Sequence, residues 1–209
     1  MEQILDMKNE IEYSKLKVPA EIIKQGGIVI FPTETVYGIG TNGLNKDSIE
    51  NLYEIKQRPR NKPISLLVSN FDMINEVAES ITELEYKIMK EFFPGPLTMV
   101  LKKKSCVPDE LTAGGDTVGI RMPENKITLK LIEYAGVPIA TPSANISGKP
   151  SGTNIESIKK DFKGKVEFFI DGGESRIGKA STIVKVENNE IKILRQGIIT
   201  KEEIIEKCK

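Results

Sequence analysis

Short apolar, β-branched runs recur along the chain: IVIF at 28–31, ISLLV at 64–68, LTMVL at 97–101, VGIR at 118–121, VPIAT at 137–141 and VEFFI at 166–170. Between them lie longer segments whose apolar residues fall three and four apart, the period of a helix with one buried face. The stretch 47–57, DSIENLYEIKQ, is such a segment. Asp47 is placed to cap it, Ile49, Leu52 and Tyr53 share one face, and Lys56 falls one turn further on that same inward side. The alternation predicts an α/β fold, a twisted sheet flanked by helices. Near the end the pattern changes. STIVKV and EIKILR flank Glu187-Asn188-Asn189, which predicts a hairpin and so a mixed sheet, parallel and antiparallel. No repeat or linker divides the chain, so one domain is expected over 1–209, with its core at about 18–197 and residues 1–17 forming a surface arm.

The unusual residues gather where strands end, the place where open α/β sheets hold ligands. IVIF runs into Pro32-Thr-Glu-Thr35 and then Gly38 and Gly40. Thr33 and Glu34 read either as turn-capping groups or as a strand tip facing a polar ligand. Lys56, Arg58, Arg60 and Lys62 place four cations in seven residues, stiffened by Pro59 and Pro63. Such a loop is either solvated or settled by an anion such as phosphate, which arginine's planar fork suits. Lys56 alone reads equally as a snorkelling side chain or a neutraliser of the helix C-terminus. Ser143 and Asn145 alternate, so extended backbone points both the same way, towards a shared ligand or into an ordinary turn. Lys102 to Lys104 suggest solvation or weak nucleic-acid contact. The pair Gly114-Gly115, like Gly38 and Gly40, cradles an anion or simply turns the chain, and no Walker or Rossmann glycine pattern is present.

Composition narrows the chemistry. Thirty basic and thirty acidic residues cancel, so no global field draws the protein to nucleic acid or a membrane. Cys106 and Cys208 lie far apart without a CxxC pair, which suggests a reducing compartment. No stretch approaches the roughly 18 apolar residues of a membrane span, and no leader-peptide core is seen, so a cytoplasmic location is expected. The chain has no histidine, which removes the commonest general base and transition-metal ligand. Carboxylates, hydroxyls, lysine, arginine and magnesium held by oxygen remain.

In order, FPTETVYGIG, IKQRPRNKP, PGPLTMVL, VGIRMPEN, ATPSANISGKPSGT, STIVKV and LRQG make the chain similar to the short, single-domain YrdC-type threonylcarbamoyl-adenylate synthases. The resemblance runs from about residue 18 to residue 197 and includes the family's Lys-x-Arg and Ser-x-Asn as Lys56-Gln-Arg58 and Ser143-Ala-Asn145. It implies a deep, positively charged cavity in a mixed sheet, and formation of threonylcarbamoyl-AMP and pyrophosphate from L-threonine, bicarbonate or carbon dioxide, and ATP. A separate transferase then uses the adenylate to modify adenosine 37 of tRNA (t6A). By position, Lys56, Arg58, Ser143 and Asn145 match the catalytic, nucleotide-handling set, with Lys62, Thr117, Ser151 and Arg195 as further ATP contacts. Thr35, Arg121, Thr141 and Ser181 match the L-threonine site. No metal ligand is expected on the chain; magnesium would ride on the ATP phosphates. Longer relatives carry a histidine in the segment matching Ser65–Leu67, where this chain has leucine. Two alternatives stay open: a carbamoyl-adenylate-forming enzyme, and a non-catalytic RNA-binding module, with tRNA contact expected to be weak.

Overall fold

The computed structural model describes residues 3–9 and 11–208. Its strands are β1 (Gln3–Asp6), β2 (Val29–Phe31), β3 (Gly38–Asn42), β4 (Leu66–Leu67), β5 (Ala78–Glu79), β6 (Leu97–Lys103), β7 (Thr117–Arg121), β8 (Ile139–Ala140), β9 (Phe168–Asp171), β10 (Thr182–Glu187) and β11 (Glu190–Arg195). The α-helices are α1 (Lys17–Lys24), α2 (Lys46–Lys56), α3 (Phe71–Val77), α4 (Glu83–Phe92), α5 (Asp109–Thr112), α6 (Lys126–Ala135), α7 (Ile155–Phe162) and α8 (Lys201–Lys207). A 3-10 turn at Tyr13–Leu16 leads into α1.

All the strands join one sheet in the order β1-β9-β2-β3-β8-β4-β7-β6-β10-β11, with β5 pairing β6 off that path. Parallel pairs such as β6 with β10 stand beside antiparallel ones such as β6 with β7, so the sheet is mixed as the sequence predicts. In the β10–β11 hairpin, Glu187 pairs with Glu190 across Asn188 and Asn189. Both asparagines take left-handed backbone (φ 52° and 62°), the conformation a tight two-residue hairpin turn requires.

Three elements differ from the sequence reading. The segment taken as a surface arm is stitched into the fold: β1 pairs in parallel with β9, and Met7 and Leu16 are buried. Met1, Glu2 and Glu10 lie outside the described residues. Helix α2 is capped by Asn45 rather than Asp47: the Asn45 side chain accepts from Ser48 N at 3.0 Å, and Asp47 falls in the first turn, where its charge favours the helix dipole. GIGTN, read as turn glycines, is strand β3, held between β2 and β8. Glycine is needed there because a Cβ on Gly40 would sit 2.6 Å from Ile139 Cγ2 and 2.8 Å from the Phe31 ring.

The core is apolar and continuous under the sheet, from Ile28 to Phe31 through Leu97, Met99 and Ile120 to Ile139. Among the described residues no helix is long and apolar enough to cross a membrane. The topology brings to one region the turn after β2, the loop after α2, the end of β7, the turn after β8, the entry to β10 and the end of β11.

Candidate functional site

The chain from Phe31 to Gly40 is buried throughout, so the PTET turn folds inward rather than over the surface. Thr33 organises it: its Oγ1 donates to Val36 O at 2.6 Å and accepts from Thr35 N at 3.2 Å. Thr35 lines the cavity that opens beyond the turn. The strand tip therefore combines a turn built by Thr33 with a cavity wall built by Thr35.

Helix α2 ends at Lys56, and Gln57 in left-handed backbone (φ 52°, ψ 41°) reverses the chain. The reversal lets Arg58 N bond Tyr53 O at 2.9 Å. The Arg58 side chain is fixed to its own loop, Nε to Lys62 O (3.0 Å) and Nη2 to Pro63 O (2.9 Å). Lys56 lies on the inward face and is fully buried, so the snorkelling reading of its sequence position does not hold. Its Nζ donates to the backbone carbonyls of Ser143 and Asn145, both at 2.5 Å. Ser143 Oγ in turn donates to Asn145 Oδ1 at 2.5 Å, while Asn145 Nδ2 donates to the Ile146 and Lys149 carbonyls. Lys56, Ser143 and Asn145 thus form one knot, at which two distant segments are tied. Burial, and secondarily the charge of Arg58, push the Lys56 pKa down to about 7.

The cavity itself has a volume of about 150 Å³. Seven of the predicted residues line it: Thr35, Arg58, Arg121, Thr141, Ser143, Ser181 and Arg195. Arg195, from the end of β11, grips Ser181 through O (3.1 and 2.9 Å) and Oγ (3.0 Å). Burial lowers its pKa, and the neighbouring charges of Arg121 and Arg58 lower it further, so the three guanidiniums share one electrostatic environment. Arg121 donates from Nε to Gly95 O at 3.2 Å and lies 2.7 Å by Nη2 from Glu34 Oε1.

The remaining predicted residues stand off the wall. Lys56 and Asn145 lie behind Ser143. The Lys62 side chain is exposed, and its carbonyl receives Tyr53 OH and Arg58 Nε. Thr117 begins β7, whose other end carries Arg121, and Ser151 is exposed. Sequence reasoning missed Thr98, which lines the cavity and sits 2.8 Å from Ser181 Oγ; the signal was a lone hydroxyl inside the apolar run LTMVL. Leu67, at the position where the resemblance marks a departure, forms part of the wall. The second cluster is occupied by the protein itself: Lys102 pairs with Glu79, Lys103 with Asp109, and Lys104 donates to Asn75 O.

The Sua5/YciO/YrdC family model, described as telomere recombination, matches residues 21–197. The chain belongs to this family. It is 44% identical over 201 residues to a threonylcarbamoyl-AMP synthase of Pyrococcus abyssi, covering 96% of this chain and 59% of that protein. It is also 40% identical to a putative threonylcarbamoyl-AMP synthase of Methanocaldococcus jannaschii, covering 94% of this chain and 92% of that one. The crystal structure of P. abyssi Sua5 complexed with L-threonine superimposes with a TM-score of 0.94 at 44% identity, over 98% of this chain and 60% of that one. The chain therefore spans about six-tenths of the length of the Pyrococcus relatives, and the Sua5/YciO/YrdC fold, with its mixed sheet and flanking helices, is shared along nearly its whole length.

Proposed function

We propose that the protein is an L-threonylcarbamoyladenylate synthase, a nucleotidyltransferase that makes threonylcarbamoyl-AMP and pyrophosphate from L-threonine, bicarbonate or carbon dioxide, and ATP. The observation that supports this reading best is the convergence of Thr35, Arg58, Arg121, Thr141, Ser143, Ser181 and Arg195 on one cavity, in a chain closely similar to a Sua5 that was crystallised with L-threonine. The unprotonated amino-acid amine attacks carbon dioxide and releases a proton to solvent, giving a carbamate. A carbamate oxygen then attacks the α-phosphorus of ATP as the bond to the pyrophosphate oxygen breaks. Neither step needs a protein nucleophile, which suits a chain without histidine.

In this reading Arg58 and Arg195 neutralise charge on the triphosphate, the kind of alignment and electrostatic help on which nucleotidyl transfer depends. Lys56 acts mainly by holding the Ser143–Asn145 turn in shape. Arg121 receives the threonine carboxylate, and the hydroxyls of Thr35, Thr141 and Ser181 select its side chain. Lys62, Thr117 and Ser151 are assigned to the outer reaches of the nucleotide. Magnesium would be carried by the phosphate oxygens of ATP and would offset part of their charge. The adenylate passes to a tRNA threonylcarbamoyl transferase, and any contact of this chain with tRNA itself is weak.

The test is mass spectrometry of the product formed by the purified full chain with ATP, magnesium, bicarbonate and L-threonine. A species with the mass of threonylcarbamoyl-AMP, and pyrophosphate release that requires threonine, are expected. Release that requires carbamoyl phosphate instead, or no turnover of ATP, would overturn the assignment.

A further inference from the structure

Glu34 is the carboxylate of the PTET turn, and the reaction as proposed gives it no part. Its side chain is only 2% exposed and stands behind the cavity wall, with Oε1 2.7 Å from Arg121 Nη2. The contact is ionic without an aligned hydrogen bond, so both carboxylate oxygens and Nη2 remain unsatisfied as hydrogen-bonding groups. The backbone fixes it in place: Glu34 O accepts from Ile177 N at 2.8 Å, tying the turn to the segment that leads to Ser181. Arg121 is thereby held from two directions, by the Gly95 carbonyl at Nε and by Glu34 at Nη2.

The cavity wall carries three guanidiniums and no carboxylate. Arg58 and Arg195 bond neutral protein oxygens, those of Lys62, Pro63 and Ser181, and among the described residues no carboxylate pairs with either. Arg121 differs, because Glu34 offsets it from behind. Attraction for a polyphosphate grows with the net charge of the site, whereas a single carboxylate is recognised by aimed N–H donors even where net charge is low. Three uncompensated guanidiniums would make the whole cavity a polyphosphate trap.

Resting on the functional reading above, in which Arg121 faces the amino acid, we propose that Glu34 is a specificity-determining positioning residue. It orients Arg121 and neutralises it, so that this guanidinium takes the substrate carboxylate and does not join Arg58 and Arg195 on phosphate. Glu34 divides one cationic cavity into a carboxylate subsite and a phosphate subsite.

The test compares the full-length wild type with Glu34→Gln and Glu34→Asp, measuring L-threonine and inorganic pyrophosphate affinities by titration calorimetry. In Glu34→Gln, threonine binding weakens by about tenfold, the scale of one lost charge-assisted contact, while pyrophosphate binding tightens several-fold. Opposite movements of this kind are not produced by general loosening of the fold. Glu34→Asp keeps the charge but shortens the reach, so threonine weakens by a smaller factor and pyrophosphate stays at the wild-type value. This variant decides the matter if Glu34→Gln fails to fold. Both affinities falling together, or neither changing, overturns the role of Glu34 while a threonine-binding wild type leaves the functional reading standing. A wild type that binds pyrophosphate but not threonine overturns that reading and the proposal with it.

Discussion

Lys56 shows how much one side chain can carry without facing the cavity. A buried ammonium with two carbonyl acceptors and, among the described residues, no carboxylate partner is costly to keep charged, and burial together with Arg58 brings its pKa to about 7. A neutral amine still has two N–H groups for the two carbonyls, so the Ser143–Asn145 turn keeps its clamp as the charge is lost. The depressed pKa has a defined sign. In the free protein, stability rises as pH goes from 7 towards the ordinary lysine value of 10.5, because the unfolded chain holds the proton over that range and the folded one does not. A triphosphate bound in the cavity, as proposed, would reverse the preference and draw the proton back. Nucleotide binding should therefore take up a proton above pH 7 and weaken with rising pH, by at most about tenfold per unit for one coupled proton. Calorimetry in two buffers of different ionisation enthalpy reads that uptake directly, and Lys56→Met should abolish it. The same substitution removes the clamp and should lower threonine-dependent pyrophosphate formation by about 10²- to 10³-fold, the loss typical of one preorganised stabilising group. Wild-type turnover in Lys56→Met would remove Lys56 from the machinery.

At the level of the element, the site depends on how closely β10 and the chain after β11 approach each other. A Cβ on Gly197 would lie 2.3 Å from Thr182 N, 2.5 Å from Ser181 C and 2.6 Å from Ala180 O, all backbone atoms that cannot swing away. Thr182 Oγ1 closes the same junction by accepting from Gly197 N and Ile199 N and donating to Ile199 O. Gly197→Ala should therefore part the segments that carry Ser181 and Arg195, costing about 1–3 kcal/mol as overpacking does. Urea denaturation with an unchanged m-value measures the loss, and a variant as stable as wild type would show that the junction yields. The glycine in LRQG is legible in the sequence as a recurring residue of a resemblance, but the reason for it is not, since the atoms it must clear belong to another segment. The same holds for β3, whose glycines are set by the Phe31 ring of β2, and for β1, whose partner β9 lies at the far end of the chain. By contrast the β-branched runs, the Asn188–Asn189 hairpin and the inward face of α2 follow from local pattern alone, because period and turn chemistry act over a few residues. Arg58 and Ser143 stand out in local pattern as candidate ligand-facing groups, but their convergence with Arg121, Thr141, Ser181 and Arg195 is legible only through the ordered set of motifs. No spacing connects Thr35 to Arg195, and the Lys56 clamp ends on carbonyls that carry no side-chain identity.

For the whole molecule, the consequence is that the cavity exists only when the sheet is complete. Its wall draws on the turn after β2, the loop after α2, the end of β7, the turn after β8, the entry to β10 and the end of β11, so no fragment of the denatured chain presents it. Ligands that bind there bind the native state alone and must stabilise it by mass action. At 100 times its dissociation constant a ligand adds about 2.7 kcal/mol, and for a domain of this size each kcal/mol raises Tm by about 2–4 °C. L-threonine and ATP at such concentrations should each raise Tm by about 5–10 °C in a thermal scan. Arg58→Ala should lose most of the ATP shift while keeping most of the threonine shift, because Arg58 is tied to the α2 loop whereas Arg121 stands on β7. The neutral overall charge sharpens the contrast, since binding cannot be attributed to a general attraction for anions. A shift with ATP that survives in Arg58→Ala undiminished would move the nucleotide out of this cavity and dissolve the link between the convergence of these segments and the chemistry assigned to them.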